Sequence, residues 1–195
     1  MPENVGAEVV RSGLVSEERV DRFVRKGHFV YESGDHGDIW LELEVLFSEP
    51  VRMRRAAQAF AASLKKYNAE IVVAPALGGA LAGQMLADAL GSTFVYAERF
   101  GRVGNVRYAI PASVRPLIGG KRVLICDDVI NAGSATLATL EEVRSCGGVP
   151  VAIAAFMIRQ AGQAGVAAKA GVPVEKMIVL DWNIWKAPDC PVCEA

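Results

Sequence analysis

The chain has 195 residues, of which 52% are hydrophobic and 22% charged, and its formal net charge is −1. A chain of this length buries a core without crosslinks or structural metal, its hydrophobic fraction excludes intrinsic disorder, and its charge excludes a broad electrostatic grip on nucleic acid. Selectivity must come from a local site. The longest apolar stretch, Val151 to Ile158, is far short of the roughly 20 residues of a spanning helix. The N-terminal residues, with Glu3 and Glu8, resemble no signal peptide. A soluble cytoplasmic protein with no membrane partner is expected.

Two short helices are expected over 4–12 and 16–26, the second started by Ser16 with Glu17 and Glu18 in its first turn. Strand-like runs over 29–32 and 39–45 bracket the turn-rich Ser33-Gly34-Asp35-His36-Gly37-Asp38. Ser48-Glu49-Pro50 opens a long helix to about Tyr67, where Pro50 falls in the first turn. Arg52, Arg54, Arg55, Lys65 and Lys66 read as solvated charge on that helix. From Glu70 the pattern alternates: strand 71–74, helix 79–90, strand 93–97, strand 123–127, helix 134–146 and strand 149–157. This predicts an α/β fold with a mostly parallel central sheet flanked by helices. Residues 98–105 look like the tip of a flexible hairpin that returns through 106–110 and projects over the site at the strand ends. No repeat, low-complexity tract or linker interrupts the chain. A single domain over 1–195 is expected, with an N-terminal hood and base-binding elaboration over 1–47, in which 33–38 form a lid, a core over 48–182 and a tail over 183–195.

The most informative segment is Val123-Leu124-Ile125-Cys126-Asp127-Asp128-Val129-Ile130-Asn131-Ala132-Gly133-Ser134-Ala135-Thr136. An apolar strand delivers two carboxylates to its end, where ligand sites of open α/β sheets lie. The small-residue turn lets backbone N–H groups close around an anion at the start of the next helix, and hydroxyls at Ser134 and Thr136 can add donors. Asp127 and Asp128 cannot hold that anion, but they accept hydrogen bonds from vicinal hydroxyls. Phosphate and diol together describe a ribose 5-phosphate. Ala76-Leu77-Gly78-Gly79 follows a second apolar strand and also opens a helix, so its amides can meet a second anion. Two anion loops on neighbouring strands suit a diphosphate. Rival phosphate motifs fail: Gly78-Gly79-Ala80-Leu81-Ala82-Gly83 lacks the middle glycine of the dinucleotide fingerprint, and Gly120-Lys121-Arg122 lacks the P-loop hydroxyl.

The 123–136 run is similar to the signature of the type I phosphoribosyltransferases. Resemblance to the orotate phosphoribosyltransferases extends through the Ser33-Gly34 segment, the Ser48-Glu49-Pro50 helix start, the 76–79 loop, the hairpin and Ile158-Arg159-Gln160. It implies a type I phosphoribosyltransferase fold with a flexible hairpin and a hood. It also implies a homodimer that uses 5-phosphoribosyl 1-diphosphate (PRPP) and orotate to make orotidine 5′-phosphate and pyrophosphate, with Mg²⁺ carried through PRPP rather than by direct protein ligands. By position, Asp127 and Asp128 grip the ribose, Asn131, Ala132, Gly133, Ser134 and Ala135 hold the 5-phosphate, and Val129 and Ile130 also belong to the PRPP-binding run. Ala76, Leu77, Gly78 and Gly79 meet the diphosphate. Arg99 and Arg102 neutralise the leaving pyrophosphate. Trp40 stacks on the base, Asn131 lies between base and phosphate, and Arg159 forks onto the orotate carboxylate. Two departures stand out. Glu32, at the base, replaces the family's lysine with an anion that would repel a carboxylate. The hairpin keeps Arg99 and adds Arg102 and Arg107, but has no lysine or histidine. These leave open a base without a carboxylate, or a regulator that binds PRPP without turnover.

Four cysteines include the pair Cys190-Pro191-Val192-Cys193. A closed zinc site needs four ligands, Cys126 and Cys146 belong to a strand and a helix end, and the only histidines, His28 and His36, lie far upstream. A plain tail is expected, with neither metal nor disulfide.

Overall fold

The computed structural model describes residues 4–31, 34–101 and 106–193. The N-terminal part runs α1 (Val5–Arg11), α2 (Val20–Phe23), β1 (Val24–Val30), β2 (His36–Leu41) and α3 (Leu43–Phe47). The helix expected over 16–26 ends at Phe23. Val24, Arg25 and Lys26 pair instead with Leu41, Trp40 and Ile39 of β2, so cross-strand pairing overrides local helical pattern. His36–Asp38, expected in a turn, belong to a strand, and Leu43–Val45, expected in a strand, open α3.

Helix α4 (Pro50–Leu64) ends in a 3-10 turn over Lys65–Tyr67. Its buried residues Met53, Ala56, Ala57, Phe60, Ala61 and Leu64 repeat at the spacing of one helix face. Phe60 meets Phe156 edge to face with ring centroids 5.5 Å apart. Arg54, Arg55, Lys65 and Lys66 are exposed on the opposite side as expected. Arg52 is half-buried, with its Nε 3.5 Å from Glu49.

The central sheet comprises β3 (Ile71–Pro75), β4 (Thr93–Phe100), β5 (Arg107–Ala109), β6 (Arg122–Ile130), β7 (Val149–Arg159) and β8 (Val174–Leu180), in the order β5-β4-β3-β6-β7-β8. All neighbours are parallel except β4 and β5. Helices α5 (Gly78–Leu90), α6 (Ser134–Ser145) and α7 (Gln160–Ala170) provide the crossovers. Alternation along the strands divides two cores. Val72, Ala74, Leu124, Cys126, Ala154 and Phe156 pack with α4, α5 and the N-terminal helices. Ile71, Val73, Val123, Ile125, Ile153 and Ala155 pack with residues of α6 and α7 on the other face. Alternate side chains of a strand point to opposite faces, so a strand buried on both sides reads as continuous apolar sequence.

From β3 the chain steps outward to β4, and from β6 it steps the other way to β7. The strand order therefore reverses between β3 and β6, and a crevice opens at their carboxyl ends. A smaller antiparallel sheet, β1-β2-β9 with β9 at Ile184–Trp185, brings the C-terminal segment against the N-terminal hairpin through His36 opposite Trp185 and Gly37 opposite Ile184.

Candidate functional site

The crevice between β3 and β6 is a cleft of about 390 Å³. Its floor carries the 75–79 loop and the continuous run 127–136, and its other walls include Tyr31, Trp40, Tyr108, Arg159 and Ile184. The acids do not end β6. The ladder continues past them, with Val129 opposite Met157 and Ile130 opposite Ile158, so Asp127 and Asp128 are held by a strand on both sides.

Both acids are buried, at 5% and 4% exposure, and each oxygen has a distinct environment. Thr136 Oγ1 donates to Asp127 Oδ2 at 2.6 Å, and the Asp128 N–H donates to Asp127 Oδ1 at 3.1 Å. Thr136, expected to donate to an anion, is therefore engaged in holding Asp127. The Val129 N–H donates to Asp128 Oδ1 at 2.8 Å, while Asp128 Oδ2 is buried with no partner. Burial first, and then the charge of Asp128, push the Asp127 carboxyl well above the usual range, and burial pushes Asp128 up as well. Such a pair is short of donors. A ligand hydroxyl supplies what Asp128 Oδ2 lacks.

The two loops touch through this acid. A Cβ at Gly78 would overlap Asp128 Oδ2 and lie 3.0 Å from its Cγ, and one at Gly79 would lie 2.8 Å from Asp127 Oδ1. Only glycine brings the start of α5 down onto the acids. The Ala76–Leu77 peptide between β3 and α5 is cis. On the β6 side, Gly133 has φ 82° and begins α6 without a side-chain cap, so the first-turn amides of α6, which line the cleft, keep their donors for an anion. Helix α7 braces this loop from behind. A Cβ at Gly162 would overlap the Asn131 carbonyl, and one at Gly133 would overlap Val166.

Also in the cleft lining, Trp40 is 39% exposed and stacks on Tyr31 at 6.2 Å with planes 13° apart. Tyr31 reaches across Gly37, where any Cβ would overlap its ring, and its hydroxyl donates to the Ile39 carbonyl. Arg159 leaves the end of β7 with its Nε donating to the Trp182 carbonyl at 3.1 Å, which fixes the guanidinium plane beside the aromatic pair. Asn131 lines the same cleft, with its Oδ1 buried and unpartnered.

The cleft thus gathers Ala76, Leu77, Gly78, Gly79, Asp127, Asp128, Val129, Ile130, Asn131, Ala132, Gly133, Ser134, Ala135, Trp40 and Arg159. Arg99 is an exposed residue of β4 opposite Tyr108, outside the lining. Glu32 and Arg102 lie outside the described residues. Sequence reasoning missed Tyr31, Leu43, Tyr108 and Ile184, which line the cleft from the end of β1, α3, β5 and β9, while Asp35, also in the lining, belongs to the 33–38 segment expected at the base. Nothing in the sequence marked Tyr31, whose place over Gly37 is set by the pairing of β1 with β2. Tyr108 is raised from its ordinary pKa by burial and then by the charge of Asp127.

Residues 48–188 match the family model described as the phosphoribosyl transferase domain. The chain is 29% identical over 171 residues to an orotate phosphoribosyltransferase of Caldanaerobacter subterraneus, covering 88% of this chain and 85% of that protein. Its fold is similar to the crystal structure of orotate phosphoribosyltransferase from Aeropyrum pernix, with TM-score 0.67, 20% identity and 90% and 93% coverage. It is also similar to an adenine phosphoribosyltransferase from Thermoanaerobacter pseudethanolicus, with TM-score 0.65, 18% identity and 84% and 98% coverage.

Proposed function

The chain belongs to the phosphoribosyltransferase family and is a pentosyltransferase, and on that premise we propose that it transfers the phosphoribosyl group of PRPP to orotate in pyrimidine nucleotide synthesis, as a cytoplasmic homodimer. One observation carries the reading: a donor-starved acid pair lies against two amide-rich loops, with an arginine and a stacked aromatic pair lining the same cleft.

In this reading Asp128, with Asp127 locked behind it by Thr136, accepts the ribose hydroxyls and orients the ring. The amides of 131–135 hold the 5-phosphate, and the 76–79 loop holds the diphosphate. Positive charge develops on the ribose as the bond to pyrophosphate lengthens, and the buried carboxylates favour it electrostatically while the amide loops favour the departing anion. Arg99 of β4, with Arg102 in the sequence between β4 and β5, would add charge to the leaving-group side. Mg²⁺ fits such a site, since the carboxylates of Asp127 and Asp128 in the cleft lining are hard oxygen groups that a hydrated cation can meet through water. It would be held through the diphosphate and water near the acids, and it would supply neutralisation of the leaving group. Trp40 would stack on the base and Arg159 would take its carboxylate bidentately.

A second reading changes only the base. Asp35 lines the cleft, although Lys186 Nζ pairs with it at 2.8 Å, and Glu32 adds a further anion nearby in sequence. These charges favour a base without a carboxylate. Pyrophosphate release from PRPP and Mg²⁺ across orotate, uracil and the common purines separates the readings. Release with orotate supports the first, and release only with another base supports the second. Binding of PRPP with no release under any base identifies a PRPP-binding regulator instead.

A further inference from the structure

The tail is not isolated from the histidines. His28 and His36 lie 162 and 157 residues from their cysteine contacts Cys190 and Cys193, yet the hairpin and the β2–β9 pairing bring all four side chains together. His28 Nε2, His36 Nδ1, Cys190 Sγ and Cys193 Sγ lie within 4.8 Å of one another. Individual separations are 3.0 Å between the two nitrogens, 3.1 Å from His36 Nδ1 to Cys193 Sγ, and 3.5 Å from His28 Nε2 to each sulfur. The expectation of a plain tail rested on sequence distance, which strand pairing removes.

We propose that these four side chains form a structural zinc site that staples the C-terminal tail to the N-terminal hairpin. A tetrahedron with Zn–N of about 2.0–2.1 Å and Zn–S of about 2.3 Å requires N···N of about 3.3 Å, N···S of about 3.5 Å and S···S of about 3.8 Å. The four separations given need shifts of only a few tenths of an ångström to reach it, and the remaining two, from Cys190 Sγ to His36 Nδ1 and to Cys193 Sγ, lie within 4.8 Å, so closing the tetrahedron draws Cys190 Sγ in by about 1 Å at most. Two thiolates neutralise the dication, and an S₂N₂ donor set at this spacing selects zinc over hard cations. The compactness fits one ion rather than a cluster. None of the four cysteines is in a disulfide. Cys190 is buried at 1% exposure while Cys193 and His28 are exposed, so the site lies at the surface with one anchored ligand.

The staple closes the sheet that carries Tyr31, Trp40 and Ile184 into the cleft. On the reading given above, metal loss should loosen the base end and leave the PRPP loops, on the other sheet, intact.

The test is metal content of protein purified after growth with added zinc, followed by substitution with Co²⁺ alone. We expect one zinc per chain, a thiolate-to-cobalt charge-transfer band with intense tetrahedral visible bands, and loss of both in Cys193→Ser and in His36→Ala. Those two exposed or half-exposed positions avoid the folding risk of altering buried Cys190. Removal of zinc by a chelator should lower the melting temperature of the whole chain and raise the KM for the base several-fold with an unchanged Kd for PRPP. Substoichiometric zinc after supplementation, or a stoichiometry that survives both substitutions, overturns the proposal whatever base the protein uses.

Discussion

Asp128→Asn separates the binding role of the acid pair from its burden on stability. In the native chain Asp128 Oδ1 accepts from the Val129 N–H at 2.8 Å, and Oδ2 is buried without a partner. The amide keeps the first bond and removes the charge. Losing a charge-assisted bond from a ribose hydroxyl costs about 1.5 to 3 kcal/mol, which is about 10- to 150-fold in Kd for PRPP. Stability moves the other way. Both acids are raised above their unfolded values, so the folded chain binds more protons than the unfolded one from about pH 4 up to the raised folded values. Their stabilising contribution is complete below the unfolded pKa and is lost as pH rises through that window, with a limiting slope of about 1.4 kcal/mol per pH unit for one group. Asp128→Asn removes part of this slope, and at neutral pH the variant should melt higher than the parent. Calorimetric titration with PRPP and Mg²⁺ and urea unfolding at pH 5 and pH 7 measure the two effects. An unchanged Kd refutes the ribose role. A variant less stable than the parent at pH 7, with an unaltered pH slope, refutes the electrostatic reasoning.

Gly78→Ala places a methyl group on Asp128 and leaves 3.0 Å to its Cγ; overpacking of this kind costs about 1 to 3 kcal/mol, and kcat/KM for PRPP should fall by about tenfold or more while base affinity holds. Gly133→Ala combines a φ of 82° with overlap on Val166, and urea unfolding should show a loss of about 1 to 3 kcal/mol, partly restored by Val166→Ala. Arg159→Lys keeps the charge but loses the planar fork, so orotate affinity measured by fluorescence titration should fall about tenfold with PRPP binding unaltered. Equal losses for both ligands would place Arg159 in the scaffold instead.

The 123–136 run was legible because an apolar strand, two acids and a small-residue turn each carry their own physical meaning and coincide. The parallel order followed from alternation of strands and helices, and the alternating burial of Val72, Val73 and Ala74 explains why β3 reads as unbroken apolar sequence. The errors arose where distant pairing decides local structure. Val24–Lys26 continue a helical pattern but are claimed by β2, and Leu43–Val45 look like strand but turn into α3. Helix α7 was not anticipated, since Gln160–Ala170 has no strong amphipathic pattern; its glycine at 162 is legible only once Asn131 is seen against it. Thr136 could be read as a phosphate donor until its bond to Asp127 assigned it to the acid. His28, His36 and the Cys190–Cys193 pair met no shared signal in the sequence, because their proximity depends on β2 pairing with β9.

The most direct test of the central claim is a crystal structure with PRPP and Mg²⁺ bound. The account predicts the ribose diol on Asp127 and Asp128, the 5-phosphate at the amides of 131–135 and the diphosphate at 76–79. A diphosphate sugar bound elsewhere, or a ribose that leaves Asp128 Oδ2 without a donor, would contradict it.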